Sequence, residues 1–408
     1  MRLAAALLAS AIAGPGLAQQ PNIVVVMYDD LRGADIRAFM PRLADRMPEG
    51  REYRRAYACF TVCAPARVCF LTGQNPPTHG VLSDEQKLAS HEQLLPRQLH
   101  LAGYHTAIVG KDPQGVPFGM GRIGFDDWAV IRLHGRRDDD DRYFDPTFET
   151  PAGLVFESGY TPARIGQRCL DVMDTAPRPY FLWCADIAPH SPNVPKPEHG
   201  GSCADIPFPI AGRPSFNEAD ISDKPGWFDP LLMDAGKAAK QAEKWRTTCE
   251  TMRESDKYAE KMINRAGPGT IVMVTGDHGM AHGDRRLTGK LYLYEEMARI
   301  PLIVFGGDFA PGVDSRLVQT TDLTTTIFAL AGAEPGRPLD FAARDIRGNP
   351  RQAVKVWGRW GEQESAPGPS GLSEGTFDVN GVRHFQHLDG GGSETYDLET
   401  DPWQTQSN

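Results

Sequence analysis

The sequence predicts an α/β protein, a doubly wound, mostly parallel central sheet with helices on both faces, followed by a small C-terminal α+β subdomain with antiparallel strands. Three observations carry this. Short, continuous, β-branched apolar runs recur along the chain, the pattern of strands buried on both faces. Helix-length stretches separate them, as in a chain that crosses from strand to strand through helices. Near the C terminus the sequence turns rich in Gly, Ser, Pro and Glu and then presents Asn380-Gly381 between two short runs, the strongest short hairpin signal.

The strands come first. Asn22–Tyr28 (NIVVVMY) ends in Asp29-Asp30. Residues 106–110 (TAIVG) end at Lys111, and residues 180–187 (YFLWCADI) run into Ala188-Pro189-His190-Ser191-Pro192. Thr270–Gly276 (TIVMVTG) ends at Asp277-His278, and residues 300–306 (IPLIVFG) close the series. Helices are expected over 91–103, 163–176, 236–267 and 320–332. In doubly wound sheets ligands collect outside the carboxyl ends of the strands. The polar groups just named fall at those ends, so they are expected to share one site.

Composition narrows the function classes. The 408 residues are 40% hydrophobic and carry a formal charge of −10, which suits one large domain or a large and a small one and argues against nucleic acid as a partner. The first residues, MRLAAALLASAIAGPGLAQQ, have Arg2, a short apolar run and small residues before Gln19, the form of a cleaved signal peptide over 1–18. No later segment is long and apolar enough to cross a bilayer, so stable membrane insertion is not expected and the mature chain is read as secreted or periplasmic. A main domain over 19–345 and a subdomain over 346–408 follow. The run Asp138–Asp141 reads as a solvated loop. Seven cysteines in an exported chain leave at least one unpaired or otherwise used, and six allow up to three bridges of unspecified connectivity.

Adjacent carboxylates at a strand end repel one another unless a cation compensates. Asp29 and Asp30, with Asp277 and His278, therefore form a candidate divalent-cation site. Its oxygens favour calcium or magnesium, and its imidazole pulls toward manganese or zinc. In TVCAPARVCFLTGQ, Pro65 suits the first turn of a helix, which puts Cys63 or Ala64 at the cap and Arg67 one turn in. Cys63 would then face free backbone N–H groups, while Cys69 suits core packing or a disulfide. From the residues alone, Cys63 is open to reading as half a bridge, a ligand, a nucleophile or a modified residue.

Cys63-Ala64-Pro65-Ala66-Arg67, with Leu71-Thr72-Gly73 following, resembles the signature of the type I sulfatases, within the alkaline-phosphatase-like superfamily. Other blocks agree in order: PNIVVVMYDDLR, THGV, GYHTAIVGK, IAPHSP, VTGDHG, LTGKLYLYEEMARIPLIV and YDLETDPW, covering nearly the whole mature chain. The resemblance implies that Cys63 is oxidised to formylglycine by a separate maturation enzyme. It implies a metal held by Asp29, Asp30, residue 63, Asp277 and His278, most simply Ca2+, with Mg2+ or Mn2+ as alternatives. It assigns Arg67, Lys111, His190 and Lys290 to catalysis on a small sulfated substrate. The segment 216–225 (FNEADISDKP) resembles one found in glycan-acting members, which points to a sulfated carbohydrate as substrate, with aryl and choline sulfates as the alternatives. One position departs: the family usually has histidine two places after the lysine of Gly110-Lys111, and this chain has Pro113. His79, His105 and Asp112 are the candidates to replace that base. His278, where many members have Asn, keeps a phosphonate or phosphate diester hydrolase as an alternative, and Pro113 keeps a non-catalytic binder of sulfated glycans.

Overall fold

The structure, a computed structural model, describes residues 20–88, 93–111, 124–132, 142–340, 342–360 and 371–407. The expected signal peptide, Asp112, Pro113, the aspartate run 138–141 and most of the loop before the C-terminal hairpin lie outside the described residues.

An eleven-stranded mixed sheet organises the chain. Its centre is five parallel strands in the order β8 (Thr270–Gly276), β1 (Asn22–Tyr28), β7 (Tyr180–Ala185), β3 (His105–Gly110) and β4 (Asp127–Ile131). On one flank β10 (Leu302–Phe305) runs antiparallel to β8 and pairs with β2 (Arg51–Tyr57), which also carries β9 (Arg299–Ile300) and β11 (Gly312–Gln319). On the other, β5 (Thr147–Thr150) and β6 (Gly153–Phe156) are antiparallel. The mostly parallel sheet expected from the apolar runs is thus its centre. An apolar run reports burial on both faces and says nothing about strand direction, so the antiparallel sense of β10 was not readable from it.

Every residue of β1 is buried, and alternate side chains enter different layers, as the two-residue period of a strand requires. Val24 and Val26 pack with Ile165, Cys169 and Met173 of the helix Thr161–Thr175 and with Trp245 and Met252 of the helix Ala235–Arg265. Ile23, Val25 and Met27 pack on the other face with Phe70 and Leu71 of the helix Cys63–Thr72, Leu95 and Leu99 of the helix Leu95–Leu101, and Leu323 and Ile327 of the helix Thr320–Ala331. Each such buried aliphatic side chain contributes about 1.5–3 kcal/mol relative to an exposed one.

The register sets the site. Tyr28 pairs with Gly276, Met27 with Ala185, and Ala185 with Gly110. Four strands therefore end level, and the next residues, Asp29, Asp277, Asp186 and Lys111, emerge side by side. Gly110 is required at its place: its φ is +102°, and a Cβ there would lie 1.9 Å from the Ala185 carbonyl oxygen.

The C-terminal residues form a separate four-stranded antiparallel sheet, β12 (Ala353–Arg359), β13 (Leu372–Asp378), β14 (Val382–His387) and β15 (Gly392–Asp397), with Asn380-Gly381 turning β13 into β14. It closes against the main body through Val356, Phe377 and Phe385, which pack with Tyr57, Leu293 and Tyr294. It also grips the segment just before Cys63: Trp357 N donates to Cys59 O at 2.9 Å and Thr61 N donates to Trp357 O at 3.0 Å. Three disulfides, Cys59–Cys69, Cys169–Cys184 and Cys203–Cys249, use six cysteines and leave Cys63 free and buried. Among the described residues no helix is long and apolar enough to cross a membrane.

Candidate active site

Cys63 is the first residue of its helix, with Val62 as the extended N-cap. The expected cap position was one or two residues later. Pro65 is still within the first turn, where a missing N–H removes no helical hydrogen bond, so the proline alone does not choose between these registers. The free Ala64 N–H is taken by Asp84, whose Oδ1 lies at 2.7 Å.

The buried thiol is surrounded. Cys63 Sγ lies 3.3 Å from Asp29 Oδ1, 3.3 Å from His278 Nε2 and 3.0 Å from Lys290 Nζ. Lys111 Nζ bonds Asp29 Oδ2, and Lys290 Nζ reaches Asp30 Oδ1 at 3.3 Å. Arg67, fully buried one turn into the helix, ties the strand ends together. Its Nε donates to Asp277 Oδ2 at 2.9 Å, its Nη1 to the Lys111 carbonyl at 3.1 Å, and its Nη2 lies 3.8 Å from Asp29 Oδ1. Asp30, in the left-handed region at φ 70°, donates its backbone N–H to Asp277 Oδ1 at 3.1 Å. His190 stands at the rim, its Nε2 3.9 Å from Asp30 Oδ2 and its Nδ1 2.9 Å from Arg142 Nη1. The structure therefore brings Asp29, Asp30, Cys63, Arg67, Lys111, Asp277, His278 and Lys290 into one cluster, with His190 at its edge.

Charge compensation holds this cluster together. Burial alone would raise the acids, but Lys111, His190 and Arg67 hold Asp29 well below the usual carboxylate range. Lys290 and the two histidines bring Asp30 down to about 2 against the same burial. Burial pushes the Cys63 thiol up, and Asp29 adds to it. Burial disfavours a charged His278, but Asp277, Cys63 and Asp30 outweigh it and push the imidazole up to about 10. Burial works against the Lys111 and Lys290 ammonium groups too, yet Asp29 and Asp30 respectively raise them.

The family profile described as Sulfatase matches residues 21–333. The chain belongs to the sulfatase family. Its fold is that of the alkaline-phosphatase-like superfamily. An N-acetylglucosamine-6-O-sulfatase from Bacteroides thetaiotaomicron is 28% identical over 397 residues, covering 78% of this chain and 68% of the relative. The chain spans about two thirds of the length of the curated relatives it matches. A solved complex of a protein with its substrate D-glucosamine-2-N,6-O-disulfate superposes with a TM-score of 0.77 at 20% identity, over 95% of this chain and 93% of that one. A phosphonate monoester hydrolase from Silicibacter pomeroyi gives 0.72 at 18% identity, over 93% and 89%.

The donor set of this sulfatase-family chain fits a divalent cation. Ligand atoms of Asp29, Cys63, Asp277 and His278 lie within 4.8 Å of one another, as do those of Asp29, Asp30, Cys63 and His190. Asp30 Oδ2 is buried without a hydrogen-bond partner among the described residues, an acceptor left for an ion. The Nδ1 of His278 lies 2.9 Å from the Gly279 carbonyl; with the ring's second proton displaced by an ion, a proton kept on Nδ1 by that carbonyl would leave Nε2 to face the cluster as a ligand.

Two of the substitute bases expected for Pro113 are placed elsewhere. His105 opens β3 at the end of the sheet away from Lys111. His79 sits in the short helix Pro76–His79, its Nδ1 accepting from Val81 N at 3.1 Å and its Nε2 3.4 Å from Cys69 Sγ, and burial with Arg337 pushes it down to about 3. Sequence reasoning missed Asp84 on the helix start, Arg142 against His190, and Lys244 and Tyr292, which line the cavity at the mouth of the site. None of these has a local pattern that separates it from an ordinary surface residue.

Proposed function

We propose that this chain hydrolyses a sulfate ester carried by a sugar, in a secreted or periplasmic setting, with Cys63 converted to formylglycine by a separate maturation enzyme. The observation that carries the reading is the convergence of Asp29, Asp30, Asp277, His278, Lys111 and Lys290 on the Cys63 sulfur. The ion we assign to the site is calcium, because three of its ligands are hard carboxylates; magnesium and manganese are the alternatives. Bound there, the cation neutralises sulfate charge and polarises sulfur. Formylglycine replaces the thiol with an oxygen nucleophile.

The remaining work belongs to side chains already in place. Lys111 and Lys290 offer fixed positive charge to the sulfate oxygens, which costs no reorganisation when charge shifts during bond cleavage. Arg67 holds the helix start and Asp277 in register. His190 Nε2 or Lys290 Nζ gives a proton to the alcohol oxygen as it leaves. The sugar reading draws support from Tyr292, an aromatic ring in the cavity wall that is itself parallel to Trp227, 3° between planes. Export draws support from the three disulfides.

Peptide mass spectrometry across Cys63 tests the chemistry. An aldehyde at residue 63 and calcium-dependent release of sulfate from a sulfated sugar are expected; an intact thiol in protein from the native host overturns the reading. The likeness to a phosphonate monoester hydrolase and the presence of His278 favour one alternative. Paired sulfate and phosphonate esters decide it by their kcat/KM ratio. Binding of sulfated glycan without turnover by modified, metal-loaded protein replaces the enzyme reading with the binding one.

A further inference from the structure

A cavity of about 450 Å³ opens onto the cluster, lined by Asp30, His190, Lys290 and Tyr292 and, from the helix Ala235–Arg265, by Lys244. That volume suits a sugar-sized ligand. The lysines at the site differ in one respect. Lys111 and Lys290 are engaged with Asp29 and Asp30. The half-buried Lys244 ammonium has no hydrogen-bond or ion-pair partner among the described residues. The groups that act on it do not satisfy it. Burial and Lys290 push its pKa down, and only Asp30, already held by Lys290, opposes them. The neighbouring His282 supplies no negative charge: it is buried, its Nδ1 is unpartnered, and burial with Arg32 and Lys244 pushes it down to about 3. A half-buried cation without a counter-ion is costly, and an anion entering the cavity removes that cost.

We propose that Lys244 is a specificity-determining residue that receives a second anionic substituent, a sulfate or a carboxylate, on the same substrate whose sulfate ester reaches Cys63. The inference rests on the sugar-sulfate reading and deepens it. A sulfate ester brings a single negative charge to the reacting end, where Lys111 and Lys290 already stand. Lys244 lies on a different element of the cavity wall, so a second charge on the sugar is what it would meet. The preferred substrate class is therefore a multiply anionic saccharide, and the contact acts on binding more than on bond cleavage.

The test compares metal-loaded wild type, Lys244→Gln and Lys244→Arg on three sugars: N-acetylglucosamine-6-sulfate, D-glucosamine-2-N,6-O-disulfate and a 6-sulfated disaccharide bearing a uronate. The readout is the preference for each doubly anionic sugar over the singly anionic one. A charge-assisted hydrogen bond corresponds to about tenfold or more in affinity. Lys244→Gln is expected to cut the preference by that factor through KM, with kcat little changed, and Lys244→Arg to restore most of it. The disulfate and uronate arms tell a sulfate contact from a carboxylate one. An unchanged preference in Lys244→Gln, or an equal loss on all three sugars, overturns the inference while leaving the sulfatase reading standing. If wild type cleaves none of the sugars, the sugar-sulfate reading fails. The same preference, measured as calorimetric Kd ratios with wild type and Lys244→Gln, then decides Lys244 by the same criteria.

Discussion

Asp186 follows β7 directly and opens the turn that carries His190, so its ionisation acts on the frame of the site. It is buried; Oδ2 accepts from Ser255 Oγ at 2.6 Å and Oδ1 accepts from Ala188 N at 3.1 Å. Burial, aided by the charge of Asp29 and only partly offset by those hydrogen bonds, pushes this carboxyl from 3.8 up to about 6. Between these values the folded protein holds a proton that the unfolded chain has released. Stability is therefore greatest below about pH 4 for this group and falls as pH rises to about 6. At 1.36 kcal/mol per unit, the difference of 6 − 3.8 corresponds to about 3 kcal/mol. Asp186→Asn removes the titration while preserving shape. Urea unfolding of both proteins at about pH 4 and about pH 8 reads the effect. The stability gap should move in favour of the asparagine variant by about 3 kcal/mol between the two. Loss of any bound cation at low pH affects both proteins alike, so the gap isolates this residue. A gap of the same size at both pH values would refute the assignment of the raised carboxyl to Asp186.

Three further outcomes are expected. Replacing Cys203 and Cys249 together by alanine should cost about 4 kcal/mol, and replacing Cys59 and Cys69 about 3 kcal/mol, because the first bridge spans 46 positions and the second 10. Denaturation midpoints in the reverse order would contradict this. Gly110→Ala should yield little folded protein, since its Cβ would meet the Ala185 carbonyl at 1.9 Å, whereas Gly80→Ala, at φ +77° with open space around it, should cost about 1–2 kcal/mol. Soluble yield and thermal melts of the two variants check the contrast. Chelator-treated protein should rebind calcium by calorimetry, and Asp30→Asn should weaken that binding by about tenfold or more, as losing a charged ligand costs at least as much as losing an outer-shell partner.

Part of the fold was legible because it is written locally. β1 and β8 were expected with the same bounds as observed, since seven-residue apolar runs flanked by polar residues fit little else. The Asn380-Gly381 hairpin was legible for the same reason. β2, with the sequence REYRRAY, was not anticipated: four of its seven residues are charged, and its pairing with β10 and β11 stabilises it as a strand where its own pattern does not. Lys244 shows the same limit at the site. In the helix sequence QAEKWR it reads as a solvent-facing lysine, and only the packing of that helix beside the strand ends turns it toward the cavity.

The sequence by itself determined the strand-and-helix alternation, the Cys63-x-Pro-x-Arg67 helix start, the paired metal-type residues after β1 and β8, and the odd cysteine, because each is a pattern of neighbouring residues governed by local sterics, periodicity or count. Only the tertiary structure decided which cysteines pair, that Lys111 and Lys290 take Asp29 and Asp30 as partners, that His79 and His105 lie outside the cluster, and that Lys244 meets no counter-ion among the described residues. Those outcomes depend on contacts between residues tens to hundreds of positions apart, and the parallel register that ends four strands level is what brings the polar groups together.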